Sequence, residues 1–235
     1  MRVTDAHVEA RQNQILDAAW VCFAERGYRQ ATMQDIAAKA GLSTGAIYLY
    51  YESKDALIKA INERSLETGR RMVEAARASS MGPLSSIRSI GAAMISVFSD
   101  PGFEAATRLS IETWPEMIRN EQLKANTRRE MSFWRQEMAK LVREAQEAGE
   151  IRPDADPDTL AILSICAWDG LRHYKLIDPS ISEEILLSLA NPYLTAETAE
   201  RWSDEDETKG LERPQGAPWI LPAAGPDSVA DEEAD

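Results

Sequence analysis

Apolar positions recur at three- and four-residue spacing almost from the start of the chain. Ile15, Leu16, Ala19, Cys22 and Phe23 mark one face of a helix predicted over 7–26, and Gly27 follows as its stop. Thr32, with Asp35 three residues on, has the side chains of a capping box and opens a short helix reaching 39. Gly41 supplies the left-handed turn that ends it. Ser43 caps a third helix over 44–50, and Ser53 caps a long fourth over 54–79. Met81-Gly82-Pro83 breaks the pattern and restarts it. Further helices are expected over 84–98, 103–118, 121–148, 157–177 and 180–194, with Pro115 either kinking its helix or starting a new turn. No alternating strand pattern and no internal repeat is present, so the predicted fold class is all-α.

The stretch 32–54 has the proportions of a helix-turn-helix. Two short helices meet at a tight turn, with Ile36, Ala37, Ala40, Leu42 and Ile47 on their inner faces and small alanines where they cross. Its second helix offers Ser43, Thr44, Gly45 and Ala46 to a DNA major groove. Thr32 heads a helix N-terminus with free amides and a positive dipole end, suited to a phosphate. Tyr48 and Lys54 are assigned to phosphates as well, Tyr51 to the core, and Tyr50 equally to either. That second helix contains no Arg, Lys, Asn or Gln, the usual bidentate readers of guanine and adenine. Thr44 and Ala46 can touch thymine methyls and Gln34 can reach a base edge, so specificity is expected to lean on DNA shape.

Charge first opposes this reading. The net charge is −13, and phosphate repels an acidic surface. Its distribution removes the objection: residues 1–60 hold seven acids and seven bases, whereas 196–235 hold 12 acids and three bases. The expected organisation is a three-helix DNA-binding domain over 1–53, a larger helical domain over 54–195, and an acidic, Pro-rich disordered tail over 196–235. Trp219-Ile220-Leu221 is the one tail segment expected to dock locally. The tail is read as a solubiliser, with a brake on DNA binding as the alternative. Cys22 and Cys166 fit reduced core thiols, and with no signal-like N-terminus and no apolar run of about 20 residues a soluble, cytoplasmic protein is expected.

From Ile15 to Leu57 the chain resembles the TetR family of regulators. The matching elements are Ile15-Leu16, Ala19, Phe23, Gly27-Tyr28, Thr32, Ile36-Ala37, Gly41-Leu42-Ser43, Gly45, Ile47-Tyr48, Tyr51, Ser53-Lys54 and Leu57. The resemblance implies a homodimer built by the last two helices, 157–177 and 180–194, and a ligand pocket within the later helices. The sequence points the same way where Leu160, Ile162, Leu163, Ile165, Cys166, Ala167, Trp168 and Leu171 run nearly all round one helix. The middle of the chain is rich in methionine and aromatics, a lining that adapts to apolar ligands. Phe103, Trp114, Trp134 and Trp168 are the chosen pocket residues. Asp169 and His173, four apart, are read as a buried polar pair rather than a catalytic one. No cofactor, metal site or catalytic group is expected. The resulting expectation is a repressor that binds double-stranded DNA and a mainly apolar small-molecule effector. An activator, a ligand-independent regulator, or a helical small-molecule binder without DNA function are the alternatives.

Overall fold

Local hydrogen bonding fixes where the first helices begin and end. In this computed structural model, which describes residues 5–100, 102–182, 184–189 and 191–203, α1 spans Asp5–Arg26 and α2 spans Met33–Lys39. Thr32 accepts from the Asp35 amide while Asp35 accepts from the Thr32 amide, completing the capping box. Gly41, at φ +66°, makes the turn into α3, Thr44–Tyr48, which Ser43 caps by accepting from the Ala46 amide. The α1 side chain of Gln14 closes the far end of α2 by donating to the Ala40 carbonyl at 2.7 Å. Ser53 then starts α4, Lys54–Ser79.

The larger part follows as α5, Pro83–Ser96, α6, Phe103–Arg119, α7, Glu121–Glu147, and α8, Pro157–Lys175. Pro115 sits inside α6 without ending it. Among the described residues there is no strand, only an isolated bridge between Ile151 and Leu194. The fold is all-α, with an N-terminal helix-turn-helix unit and a larger helical unit.

Two expectations need correction. Among the described residues of 180–194 the predicted continuous helix is replaced by α9, Ile185–Ser188, and a 3₁₀ turn, Asn191–Tyr193. Pro192 removes a donor and disfavours helix at the residue before it, and Leu194 instead pairs with Ile151. The predicted tail also begins too early, because Ala196–Ser203 forms α10, with Thr195 accepting from the Thr198 amide at its start. The rest of the tail, including Trp219-Ile220-Leu221, lies outside the described residues.

Apolar packing gathers into three clusters. The first joins α1, α2 and α3 around Phe23, Ile15, Ile36 and Ile47, all fully buried, but it also takes Leu57 and Ile58 from α4, Leu109 from α6 and Leu123 from α7. The second holds Met72, Val73 and Ala76 of α4 against Ile90, Met138, Leu141 and Ala161. The third closes the far end around Leu84, Val142, Leu160 and Leu194. The α4 helix therefore belongs to two cores at once.

Gly27 is where α6 meets the turn after α1. Its φ is +77°, and a methyl group there would lie 2.6 Å from Glu112 Oε2. Gly27→Ala is expected to cost about 1–2 kcal/mol for the left-handed backbone alone, with little added by the collision, because the Glu112 carboxylate is the free end of a flexible side chain. Thermal unfolding of Gly27→Ala with and without Glu112→Ala separates the two terms, since the second change relieves only the collision.

Candidate nucleic-acid interface and ligand cavity

Exposure sorts the residues of the helix-turn-helix. Ile47 and Tyr51 are buried, whereas Tyr48 is 52 % exposed and Leu49 83 % exposed. Gln34, Ser43 and Gly45 are exposed, and Thr44 and Ala46 half-buried, so the expected groove-facing positions share the open end of α3. Tyr50 is half-buried against the first core, closer to the packing alternative than to the phosphate one. Among the cations that flank α2 and α3, each has a partner. Arg26 pairs with Asp35 at 2.7 Å, Lys39 with Glu25 at 2.8 Å, and Arg29 with Glu116 at 2.8 Å.

Lys54 is the clearest departure from a simple phosphate contact. Its ammonium donates to the carbonyls of Tyr28 and Arg29 at 2.7 and 3.1 Å and stands 4.8 Å from the Tyr28 ring centroid. Those carbonyls end the turn after α1, so Lys54 ties the start of α4 to that turn. Tyr28 also donates to Asp55, and burial followed by that bond raises its phenol well above the usual tyrosine range. Asp55 accepts in turn from Asn120, the cap of α7, at 2.9 Å. Exposed pairs of this kind contribute little stability, yet each must be exchanged before its cation can serve a phosphate.

A cavity of about 330 Å³ opens in the larger part of the molecule. Trp114, Trp134 and Trp168 line it, together with Met94, Met117, Met131 and Met138. Phe103 does not. It stacks edge-on to Phe98, with 4.7 Å between ring centroids, and Phe98 in turn packs on Trp168, so Phe103 sits one layer behind the wall. Trp20 of α1 lines the cavity as well and also belongs to the first core.

The cavity also carries charge that the sequence pattern conceals. Glu130, Asp169 and Arg172 all line it, with Asn62, Ser110 and Thr113 nearby on the wall and Arg88, itself engaged in an interaction of its own, on α5. Arg172 Nη2 bonds Asp169 Oδ1 at 3.0 Å and Ser110 Oγ at 2.7 Å, while its Nε is buried without a partner. Glu130 is pushed up to about 7, chiefly by loss of water around its carboxyl; Asp169 raises it further, and Arg172 and a bond from Ser65 partly oppose this. Asp169 therefore pairs with Arg172, not with His173. The His173 imidazole is held below its usual range by burial and by Arg172, and its Nε2 has no partner. A charge on a long helix usually stands in water, so neither Glu130 on α7 nor Arg172 on α8 is marked in the sequence as a cavity residue.

The α8 helix presents a second face. Leu160, Ala161 and Leu171 are buried, while Ile162 is 46 % and Leu163 42 % exposed. Cys166 is exposed with them, correcting its expected place in a core, whereas Cys22 is buried. Among the described residues no helix is long and apolar enough to cross a membrane.

Comparison with known proteins gives two family matches. Residues 15–61 match the model for bacterial regulatory proteins of the tetR family, and 112–181 match the tetracyclin repressor-like C-terminal domain. The chain is 33% identical over 177 residues to the HTH-type transcriptional repressor Rv1474c of Mycobacterium tuberculosis, spanning 72% of this chain and 84% of that one. It is 30% identical over 168 residues to the HTH-type transcriptional repressor DhaR of Mycobacterium sp. strain GP1, spanning 70% and 81%. Its fold is similar to that of SmeT, the repressor of the Stenotrophomonas maltophilia multidrug efflux pump SmeDEF, with TM-score 0.62, 22% identity and 90% and 97% of the two chains covered.

Two substitutions probe these sites. Glu25→Gln releases Lys39, and duplex DNA binding is expected to tighten about 2–5-fold, with the log affinity against log salt slope steeper by about one. An unchanged slope would show that Lys39 stands clear of the phosphates. Gly69→Ala would set a methyl group 2.6 Å from the Trp134 ring. The expected result is a displaced Trp134, read as a changed tryptophan emission and a shrunken cavity, at about 1–3 kcal/mol for overpacking.

Proposed function

The chain belongs to the TetR family of bacterial transcriptional regulators, and on that premise we propose that it is a cytoplasmic repressor, bound as a homodimer to a near-palindromic operator and released when a mainly apolar effector fills its cavity. Regulators of this family are not enzymes; they bind DNA and small-molecule effectors. The reading head consists of Thr32, Gln34, Ser43, Thr44, Gly45, Ala46 and Tyr48, with Tyr50 in support and Lys54 acting mainly by bracing the turn behind it. The domain boundary falls near residue 53, where α4 begins.

One observation carries the effector part. The α6 helix lines the cavity with Ala106, Leu109, Ser110, Thr113, Trp114 and Met117, while Glu112 and Glu116 of the same helix reach Gly27 and Arg29 beside the reader. A ligand that moves α6 thus acts directly on the turn that Lys54 also grips. Only a ligand with different affinity for the two arrangements can shift the balance between them. The exposed Ile162–Leu163–Cys166 face of α8 supports the dimer, because an apolar face of that kind is normally covered by another surface. Twofold pairing then matches a site with two half-sites about one helical turn of DNA apart.

Selection from a random duplex library with the purified full chain tests the proposal. The expected product is an inverted repeat bound by two chains. Recovered sequences without twofold symmetry, or complexes containing one chain, would overturn it. Glu116→Gln is expected to keep operator affinity within about threefold and to weaken release by any effector the wild type responds to. Full release from the variant would remove α6 from the route.

A further inference from the structure

Resting on the cavity reading above, we infer that the cavity selects a lipophilic monocation, an amine or quaternary ammonium on an apolar body, with Glu130 as its counter-charge and the Trp114, Trp134 and Trp168 rings as its bed. The apolar walls and the tryptophans account for a neutral ligand, but not for Glu130. A carboxyl in that setting has lost water without gaining a cation of its own. The single guanidinium facing it, Arg172, is already committed to Asp169 at 3.0 Å and to Ser110 at 2.7 Å. At Glu130 itself two acids, Glu130 and Asp169, therefore share the one base that acts on it. Arg88, on the α5 wall, has an interaction of its own and is not among the charges that act on Glu130.

An entering cation corrects that shortage, and the faces of the tryptophan rings attract it independently. An entering anion does the reverse. Docked on the buried Nε of Arg172, it would meet Asp169 on the same guanidinium and Glu130 across from it. Cation binding must also draw a proton out of the site. Glu130 sits at about 7 because water is withheld from it and Asp169 repels its charge, with Arg172 and Ser65 opposing. A ligand cation favours the carboxylate, so at pH 6 the proton leaves as the ligand arrives. Above pH 8 there is no proton left to lose.

Three probes with the same chain separate the charge from the apolar body: decyltrimethylammonium, 1-decanol and decanoate. Each is titrated into the full-length protein by calorimetry, without DNA, in buffers of differing ionisation enthalpy. The ammonium is expected to bind at least about tenfold tighter than decanol, releasing close to one proton at pH 6 and almost none at pH 8.5. Glu130→Gln is expected to abolish that advantage and the proton release, so that the variant binds the ammonium no tighter than it binds decanol. Decanoate binding tighter than the ammonium, or ammonium binding at pH 6 without proton release, would overturn the inference on the wild-type protein alone. Decanol binding alongside either of those results leaves the effector cavity standing. Failure of all three to bind at millimolar concentration would overturn the cavity reading and this inference together.

Discussion

Everything in this molecule hangs on α4 being shared. Leu57 and Ile58 near its start are buried with Phe23, Ile36 and Ile47 of the reader, while Met72, Val73 and Ala76 further along are buried with Met138 and Leu141. A helix of 26 residues is about 39 Å of rigid rod. The two cores are thus joined by a strut, and neither can shift without the other sensing it. Lys54, at the head of that strut, adds its bonds to the Tyr28 and Arg29 carbonyls, and Asp55 adds its bonds to Tyr28 and Asn120. The reader is therefore held from behind by α4, α6 and α7 together.

The same construction brings the cavity and the reader into contact through shared elements. Trp20 belongs to the reader's core and to the cavity wall, and α6 contributes one face to the cavity and two carboxylates to the reader's turn. A chain of direct contacts spans the distance. Close-packed interiors transmit strain in discrete steps, so a modest displacement of α6 has somewhere definite to go.

The sequence made the helices legible because their ends are chemical. Thr32, Gly41, Ser43, Ser53 and Asn120 act through bonds to residues two to four positions away, and such bonds depend on nothing distant. The break at 180–194 was hidden because apolar spacing there looked helical while Leu194 answers to Ile151, 43 positions away. The cavity was half legible. Trp114, Trp134 and Trp168 stand out by size, but Phe103 has the same signature and faces a second aromatic layer. Glu130 and Arg172 were invisible for the opposite reason: charges on long helices are usually in water, and only the packing of α7 on α8 removes it. Lys54 looked like a phosphate ligand because sequence shows a cation and not the two carbonyls that already claim it.

The ion pairs around the reader have a consequence for life among genomic DNA. Arg26, Arg29 and Lys39 each hold an acid, so a random stretch of duplex gains little by meeting this surface. Millions of such stretches compete with one operator in a cell, and for most regulators they hold the bulk of the molecules. A reader whose neighbouring cations are paired with acids has less uncompensated charge to offer that reservoir.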